Sequence, residues 1–379
     1  MPTDVLIAGA GPAGAIAALV LARAGLRVRL LDRAHFPRPK LCGDSINPGA
    51  LAVLRRLGLA GAVGRIAAPM RGMIVTGPGG VQVRGEYPDG VSGLSIGRSD
   101  LDAILLQHAL EAGASFEPGA RVSAPVVNRR GRVTGVTIDS GHGPARELSA
   151  PLTIAADGRR STLAFALGLA RHPAGPRRWA VGAYFDRGAS DARFGEMHIR
   201  AGFYFGVAPL PDGLTNACLV LPSPVRGALA DPAALLQRTL RGDDLVGRRF
   251  ADARLVSRPI VLGPLAIDVR GAGTEGLMLA GDAAGFVDPM TGDGLRFAFR
   301  GAELAAAAAL EALGGRVCDP AAALRRRRQR AFGRKWRLNR GLRRLVASPS
   351  AVAAAAAAAR LYPSGIRRLI VAAADITAE

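Results

Sequence analysis

The sequence predicts an α/β fold. A Rossmann-type dinucleotide-binding domain is assembled from separated stretches of chain, an antiparallel-sheet domain is interleaved with it, and the C-terminus is helical. Three observations predict this. Residues 4–32, DVLIAGAGPAGAIAALVLARAGLRVRLLD, read as strand, glycine turn, helix and second strand, the order of a βαβ unit. Two later stretches, 150–169 and 276–299, each run a short apolar strand into an Asp–Gly or Gly–Asp pair and then a helix. Between these units, residues 70–96 and 176–262 alternate apolar and polar positions with frequent glycine, as hairpin strands do. The expected division is 1–69, 97–175 and 263–312 in the dinucleotide-binding domain, 70–96 and 176–262 in the sheet domain, and 313–379 in a basic helical region.

The first unit carries the clearest chemistry. Val5 to Ala8 form a buried strand, and Gly9-Ala10-Gly11-Pro12-Ala13-Gly14 spells GxGxxG at its end. Gly9, Gly11 and Gly14 permit the tight turn and let the backbone approach a pyrophosphate at the helix N-terminus. Asp32 ends the second strand, where it is placed to accept from an adenosine ribose hydroxyl. Arg33 beside it suits a 2′-phosphate, although Asp32 favours an unphosphorylated ribose. The loop FPRPKLCGD follows, kept out of helix by Pro37, Pro39 and Gly43. Arg38 and Lys40 in it suit phosphates. Cys42 is the candidate catalytic thiol, with a structural thiol as the equal alternative. A helix then runs from Pro48 to Gly58.

Residues 70–96 form hairpin strands, and Arg98 opens an amphipathic helix bearing Leu101, Ile104, Leu105 and Leu110. Gly119 to Ile138 form a meander turning at Asn128–Gly131. Leu152 to Ala156 form a buried strand stopped by Asp157-Gly158, with a helix from Ser161. In 200–213, RAGFYFGVAPLPDG, Phe203 and Phe205 share one face and Tyr204 takes the other. These three aromatics are either core or the lining of an apolar substrate pocket. GAGTEG at 271–276 resembles a second nucleotide loop, but a strand follows it, so it reads as a turn. In 276–299, GLMLAGDAAGFVDPMTGDGLRFAF, a strand from Leu277 to Ala280 breaks at Gly281-Asp282. A loop through Pro289 and Gly292 then leads to a helix from Gly294. A carboxylate and a helix N-terminus together suit a polyhydroxylated anionic ligand.

Composition sets bounds. With 379 residues, 49% of them apolar, the chain can bury a large core. Its net charge of +20 comes from 50 basic and 30 acidic residues, and the only lysines are Lys40 and Lys335. Abundant Ala, Gly, Pro and Arg with scarce Lys is the pattern of high-GC coding, so the charge by itself identifies no partner and gives no case for nucleic acid. Cys42, Cys218 and Cys318 lie far apart, without disulfide or metal-ligand spacing. Asp4 stands where a signal peptide would be basic, and glycines divide the uncharged run from Val5 to Ala22. The expectation is a cytoplasmic protein without a metal. After Ala312 the chain becomes strongly basic and helical. Leu324, Phe332, Trp336, Leu342 and Leu345 form a stripe for packing on the body or, as the second reading, for peripheral contact with the inner face of a membrane.

Three motifs in this order, GxGxxG with its acid, Asp-Gly, and GDAAGFxDPxxGDG, resemble the flavoprotein hydroxylase fold typified by para-hydroxybenzoate hydroxylase. The resemblance covers roughly residues 4–310. FPRPKLCGD followed by NPGALAVLRRLGL is most similar to the geranylgeranyl reductase family. The resemblance implies an extended FAD. Gly9, Gly11 and Gly14 would take its pyrophosphate and Asp32 its adenosine ribose. Arg98 would contact the pyrophosphate or adenosine side, and Gly281-Asp282 the ribitol and pyrophosphate. The Pro289–Gly294 loop, through Gly292 and Gly294, would face the flavin ring. Asp157-Gly158 matches a motif serving FAD and NAD(P)H. The implied activity is NAD(P)H-dependent reduction of flavin, followed by hydride transfer to a C=C bond of an apolar substrate such as an isoprenoid. The alternative is FAD-dependent hydroxylation of an aromatic or polyketide substrate. Where the family carries a Trp, this chain reads GFYFGVAPL, and neither substrate nor oligomeric state follows from sequence.

Overall fold

A computed structural model describes residues 2–139, 143–175, 177–223, 227 and 229–374. Its first sheet has six strands, in the order Gly273–Thr274, Leu277–Leu279, Leu152–Ala155, Val5–Ala8, Val28–Asp32, Ser115–Pro118. Every pairing is parallel except the edge hairpin formed by its first two strands. GAGTEG supplies the first strand of that hairpin and, at Glu275-Gly276, its turn. Strands of a parallel sheet are buried on both faces, which accounts for the unbroken apolar run VLIA. Val5 and Ile7 pack into a core beneath helices Pro12–Arg23, Arg98–Glu111 and Gly294–Leu313. Leu6 and Ala8 pack into a second core under the antiparallel meander Arg121–Val127, Val133–Asp139, Arg146–Ser149.

The second large sheet has seven strands, ordered Ile260–Leu262, Arg178–Phe185, Thr215–Pro222, Tyr204–Pro209, Phe194–Ile199, Gly72–Gly77, Val81–Glu86. It is antiparallel except where the two sequence segments meet, since Phe194–Ile199 runs parallel to Gly72–Gly77. A three-stranded sheet of Ser45–Ile46, Gly93–Ser95 and Ala68–Met70 lies beside the helix Pro48–Arg56.

The C-terminal region forms helices Pro320–Val346, Pro349–Leu361 and Pro363–Ala373. In the first, Leu324 and Phe332 are fully buried against the dinucleotide-type core, and Trp336 stacks near Phe332 and Phe297. Leu324, Phe332 and Trp336 of the apolar stripe are thus taken up by packing, and Leu342 and Leu345 stay half-buried. The polyalanine helix places Ala356 and Ala359 on Val81 and Val83 of the edge hairpin. Among the described residues no helix is long and apolar enough to cross a membrane.

Candidate cofactor and active site

Parallel α/β sheets bind ligands beyond the carboxyl ends of their strands. Here those ends bring together Gly9, Asp32, Asp157 and Gly281. Gly9 has φ +95°, and a Cβ on it would meet the Ala156 carbonyl oxygen at 2.4 Å. A Cβ on Gly14 would lie 1.8 Å from the Gly9 oxygen. Only glycine therefore lets the turn close onto the neighbouring strand and helix. Gly281, at φ +59°, sits where a Cβ would press on Ala13 at 2.8 Å, so the turn Gly281–Ala284 rests directly on the glycine-loop helix.

Three helix starts at this groove have no side-chain cap: Pro12–Arg23 behind Gly11, Arg98–Glu111 behind Gly97, and Gly294–Leu313 behind Asp293. By contrast, the helices starting at Pro48, Pro232, Pro320 and Pro349 are each capped, by Asn47, Asp231, Asp319 and Ser348. Uncapped N–H groups and the positive end of the helix dipole favour an anion. Nothing lies within 4 Å of a Cβ built on Gly292 or Gly294, so the last start opens on free space.

Charges follow the same groove. Arg98 is buried and holds Asp102 in two bonds of 2.8 Å, and Arg38 approaches Asp102 at 3.4 Å. Lys40 is half-buried. Burial and the neighbouring Arg98 push its pKa down, while Asp282 works against them. Asp32 already accepts from Ala10 N–H at 2.8 Å and Ala34 N–H at 2.9 Å, fixing the turn, and stays half-exposed. Arg33 is exposed. Both carboxylate oxygens of Asp157 are buried without a hydrogen-bond partner in good geometry, and burial raises the pKa of the group. Gly158, at φ +82°, faces the Lys40 ammonium.

The loop bearing Cys42 crosses the second sheet. Leu41 covers Gly182, and the Asn216 amide donates to Cys42 O at 2.9 Å and to the Asp44 carboxylate. Cys42 is half-buried, and burial raises its thiol pKa although Arg98 lies against it. It is therefore a neutral thiol at ordinary pH rather than a thiolate nucleophile. Cys218 behaves alike, pushed up to about 12 by burial. Asp44, Tyr184 and Asn216 are site residues that sequence reasoning missed, although Asp44 lies inside the Cys-Gly-Asp loop it singled out.

The three aromatics of the 200–213 strand divide. Phe203 and Phe205 pack on the face covered by helix Pro232–Arg241, with Phe205 fully buried and stacked on His198. Tyr204 joins the opposite cluster with Leu41, Cys218, Phe286 and Met290. So only Tyr204 reaches the groove side, and Phe203 and Phe205 are core. Tyr204 donates to Asp288, which also receives Arg178 Nη1 at 2.9 Å and Met290 N–H at 3.2 Å. Behind the groove, Asp293 receives Asn47 Nδ2, Asn339 Nδ2 and Lys335 Nζ, each at 3.2 Å. Arg328 donates to Ala284 O at 2.7 Å, and its burial lowers its pKa to about 10.

The FAD binding domain family matches residues 2–202. The chain is 33% identical over 324 residues to the menaquinone reductase of Mycobacterium tuberculosis (strain ATCC 25618 / H37Rv), covering 80% of this chain and 75% of that one. It is 30% identical over 323 residues to the digeranylgeranylglycerophospholipid reductase 2 of Methanopyrus kandleri, covering 83% and 78%. The chain belongs to the FAD-binding oxidoreductases of the geranylgeranyl reductase family. The fold agrees. A geranylgeranyl bacteriochlorophyll reductase-like structure from Thermoplasma acidophilum superposes with TM-score 0.81 over 93% of this chain and 90% of the other, at 21% identity. A myxobacterial chondrochloren halogenase superposes with TM-score 0.83 over 96% and 90%, at 23% identity, which speaks to fold alone.

This FAD-dependent oxidoreductase has residues that fit its cofactor. The glycine cradle, three uncapped helix starts and the Arg38–Lys40–Arg98 groups match the pyrophosphates and ring edge of an extended dinucleotide.

Proposed function

We propose that this oxidoreductase uses NAD(P)H as reductant and reduces a carbon–carbon double bond in the isoprenoid part of an amphiphilic substrate. The carrying observation is the apolar wall on the groove side of the seven-stranded sheet. Leu41, Met197, Ile199, Phe286 and Met290 are only partly buried there, packed around Tyr204 and directly beside the cofactor turn. Such a surface suits an extended hydrocarbon chain.

The wall continues into Leu345 and Val346 of the long C-terminal helix. Immediately before them, Arg340, Arg343 and Arg344 line a cavity of about 580 Å³, together with Arg171, Arg270 and Asp268. Arg178 Nη2 donates to Arg343 O at 3.0 Å, tying this cavity to Asp288 and Tyr204. Arginines around a cavity beside an apolar wall favour a substrate with an anionic, phosphate-type head. The relative named for a glycerophospholipid is in keeping with such a head group.

In this reading Gly9, Gly11 and Gly14 hold the FAD pyrophosphate, Asp32 the adenosine ribose, and Arg98 the adenosine side of the pyrophosphate. Arg33 stands at the adenosine end. Asp157-Gly158 and Gly281-Asp282 hold the middle of the cofactor. The Pro289–Gly294 loop lies at the flavin ring, where the helix dipole stabilises negative charge. Bound FAD supplies the hydride. The protein orients substrate, excludes water and fixes charge.

Anaerobic mixing tests the proposal. The FAD-loaded protein is reduced with NADPH or NADH, then mixed with a digeranylgeranyl glycerophospholipid, menaquinone or simple aromatic compounds. The expected result is flavin reoxidation without oxygen by the prenylated phospholipid, with a product heavier by a pair of hydrogens. Reoxidation only with oxygen, giving a product that carries an added oxygen atom, would establish the hydroxylase alternative instead.

A further inference from the structure

Saturating a double bond takes a proton as well as a hydride, and no residue has yet been given that role. We propose that Tyr184 donates this proton and that Asp44, buried behind it, reloads Tyr184. The inference rests on the reductase reading and adds to it the proton source.

Four observations carry it. Asp44 is fully buried, at 0% exposure, on the loop that also presents Leu41 and Cys42 to the groove. Its backbone has φ 49°, the one positive value outside glycine among the described residues. A left-handed conformation at a side-chain-bearing residue costs about 1–2 kcal/mol and persists only where its surroundings impose it. Here Ile96 N–H donates to Asp44 O at 3.0 Å and Asn216 Nδ2 to Cys42 O at 2.9 Å, holding the loop in place. Second, Asn216 Nδ2 donates to Asp44 Oδ2, while Oδ1 is buried without a hydrogen-bond partner in good geometry. Asn216 thus fixes one oxygen as an acceptor, and the Tyr184 hydroxyl and the Arg98 backbone N–H are the other donors close to the carboxyl.

Third, the Tyr184 hydroxyl lies against the same carboxyl, and Tyr184 is half-exposed. Asp44 cannot touch a substrate, and Tyr184 can. Residues 184 and 216 are register partners on adjacent strands, two positions along from the pair 182 and 218 that Leu41 and Cys42 cover. The acid and the phenol therefore sit on the strand pair that carries the groove-side wall. Fourth, the charged and titratable groups around Asp44 leave it a usable acid. Arg98 from the helix start draws its pKa down, and Cys42, Cys218 and Tyr184 are all neutral with raised pKa values. Burial dominates and lifts Asp44 to about 6, so it keeps a minor protonated share near neutrality, where an ordinary carboxyl keeps almost none.

The step balances. A hydride from the reduced cofactor forms a C–H bond at one alkene carbon. The π electron pair takes the Tyr184 proton at the other carbon, completing the two-electron reduction. The phenolate oxygen takes the proton of Asp44, and the carboxylate is reloaded from water once product leaves. Tyr184 is the catalytic residue and Asp44 a positioning and relay residue.

The test uses FAD-loaded protein with Asp44→Asn and Tyr184→Phe, both close in shape to the original, and retention of the flavin spectrum checks folding. In wild type, infrared difference titration should show a carboxylic C=O band disappearing as pH rises through about 6, and Asp44→Asn should lack it. In stopped flow with the prenylated phospholipid, both variants should slow flavin reoxidation roughly 10²–10⁴-fold, the scale of general acid catalysis, relative to the flavin-reduction step. The pH limb near 6 should vanish in Asp44→Asn. A band that survives in Asp44→Asn, or Tyr184→Phe reoxidising as fast as wild type, overturns the proposal alone. A wild type that ignores every prenyl acceptor overturns the reductase reading and the proposal with it.

Discussion

Replacing Asp288 by Ala tests the junction between the cofactor turn, the substrate sheet and the C-terminal helix. Asp288 receives Arg178, the Tyr204 hydroxyl and Met290 N–H, and the side chains of Arg178 and Asp288 are each 4% exposed. The substitution leaves a buried guanidinium with the Arg343 carbonyl and the face of the Tyr204 ring but no carboxylate. Removing one partner of a buried ion pair costs about 3–5 kcal/mol, most of it the price of the uncompensated charge, and the lost phenol bond adds about 1 kcal/mol. The expected loss is therefore about 4–6 kcal/mol, with weaker FAD retention because Pro289–Thr291 hangs from the same carboxylate. Urea unfolding of the loaded protein, followed by flavin fluorescence, measures it. The decisive comparison is Arg178→Met with Asp288→Ala, which removes both charges. It should be at least about 2 kcal/mol more stable than the sum of the single losses implies. Strict additivity, or a single loss below about 1 kcal/mol, would refute the argument that the pair is a coupled buried charge.

Two further outcomes follow from the same reasoning. Gly14→Ala should fold poorly and release FAD, because its Cβ would meet the Gly9 carbonyl at 1.8 Å, a backbone atom that cannot step aside. Full flavin occupancy in that variant would contradict the cradle. Glu196 is buried, which raises its pKa, but the Arg249 fork and His198 overcome this and bring it down to about 2 from 4.5. A depressed carboxyl pKa adds stability above the ordinary carboxylate range, lost as pH falls from 4.5 through 2. Glu196→Gln should flatten the acid unfolding curve in that window, and an unchanged slope would remove Glu196 from the account.

Much of the architecture is legible because its signals are local. A glycine turn between strand and helix, or an acid at a strand end, depends on residues a few places apart. The parallel pairing of Phe194–Ile199 with Gly72–Gly77 is not legible, because period-two alternation says which face a residue takes but not the direction of its neighbour. The aromatic strand shows the same limit. Alternation separates Phe203 and Phe205 from Tyr204, but only the fold says that helix Pro232–Arg241 covers the phenylalanines. The site follows the rule too. The glycines carry their reason in their own backbone. Asp44, Asp288 and Asp293 acquire theirs from Asn216, Tyr204 and Lys335, partners distant in the chain.

The two lysines have a consequence for handling the protein. Lys335 sends its donors to Ala372 O at 3.0 Å, Ala373 O at 2.6 Å and Asp293 Oδ1 at 3.2 Å, an arrangement suited to a compact tetrahedral ammonium and not to a planar guanidinium. Lys40 stands half-buried in the groove with a lowered pKa, so a larger share of it is the free, nucleophilic amine. Side-chain amines occur nowhere else in the chain. Amine-directed dyes, cross-linkers and immobilisation resins, usually chosen because they decorate a surface at random, would here find side-chain amines only at Lys335 and at Lys40 in the groove. Cofactor loaded beforehand should shield Lys40, making acylation of that one residue a direct gauge of groove occupancy.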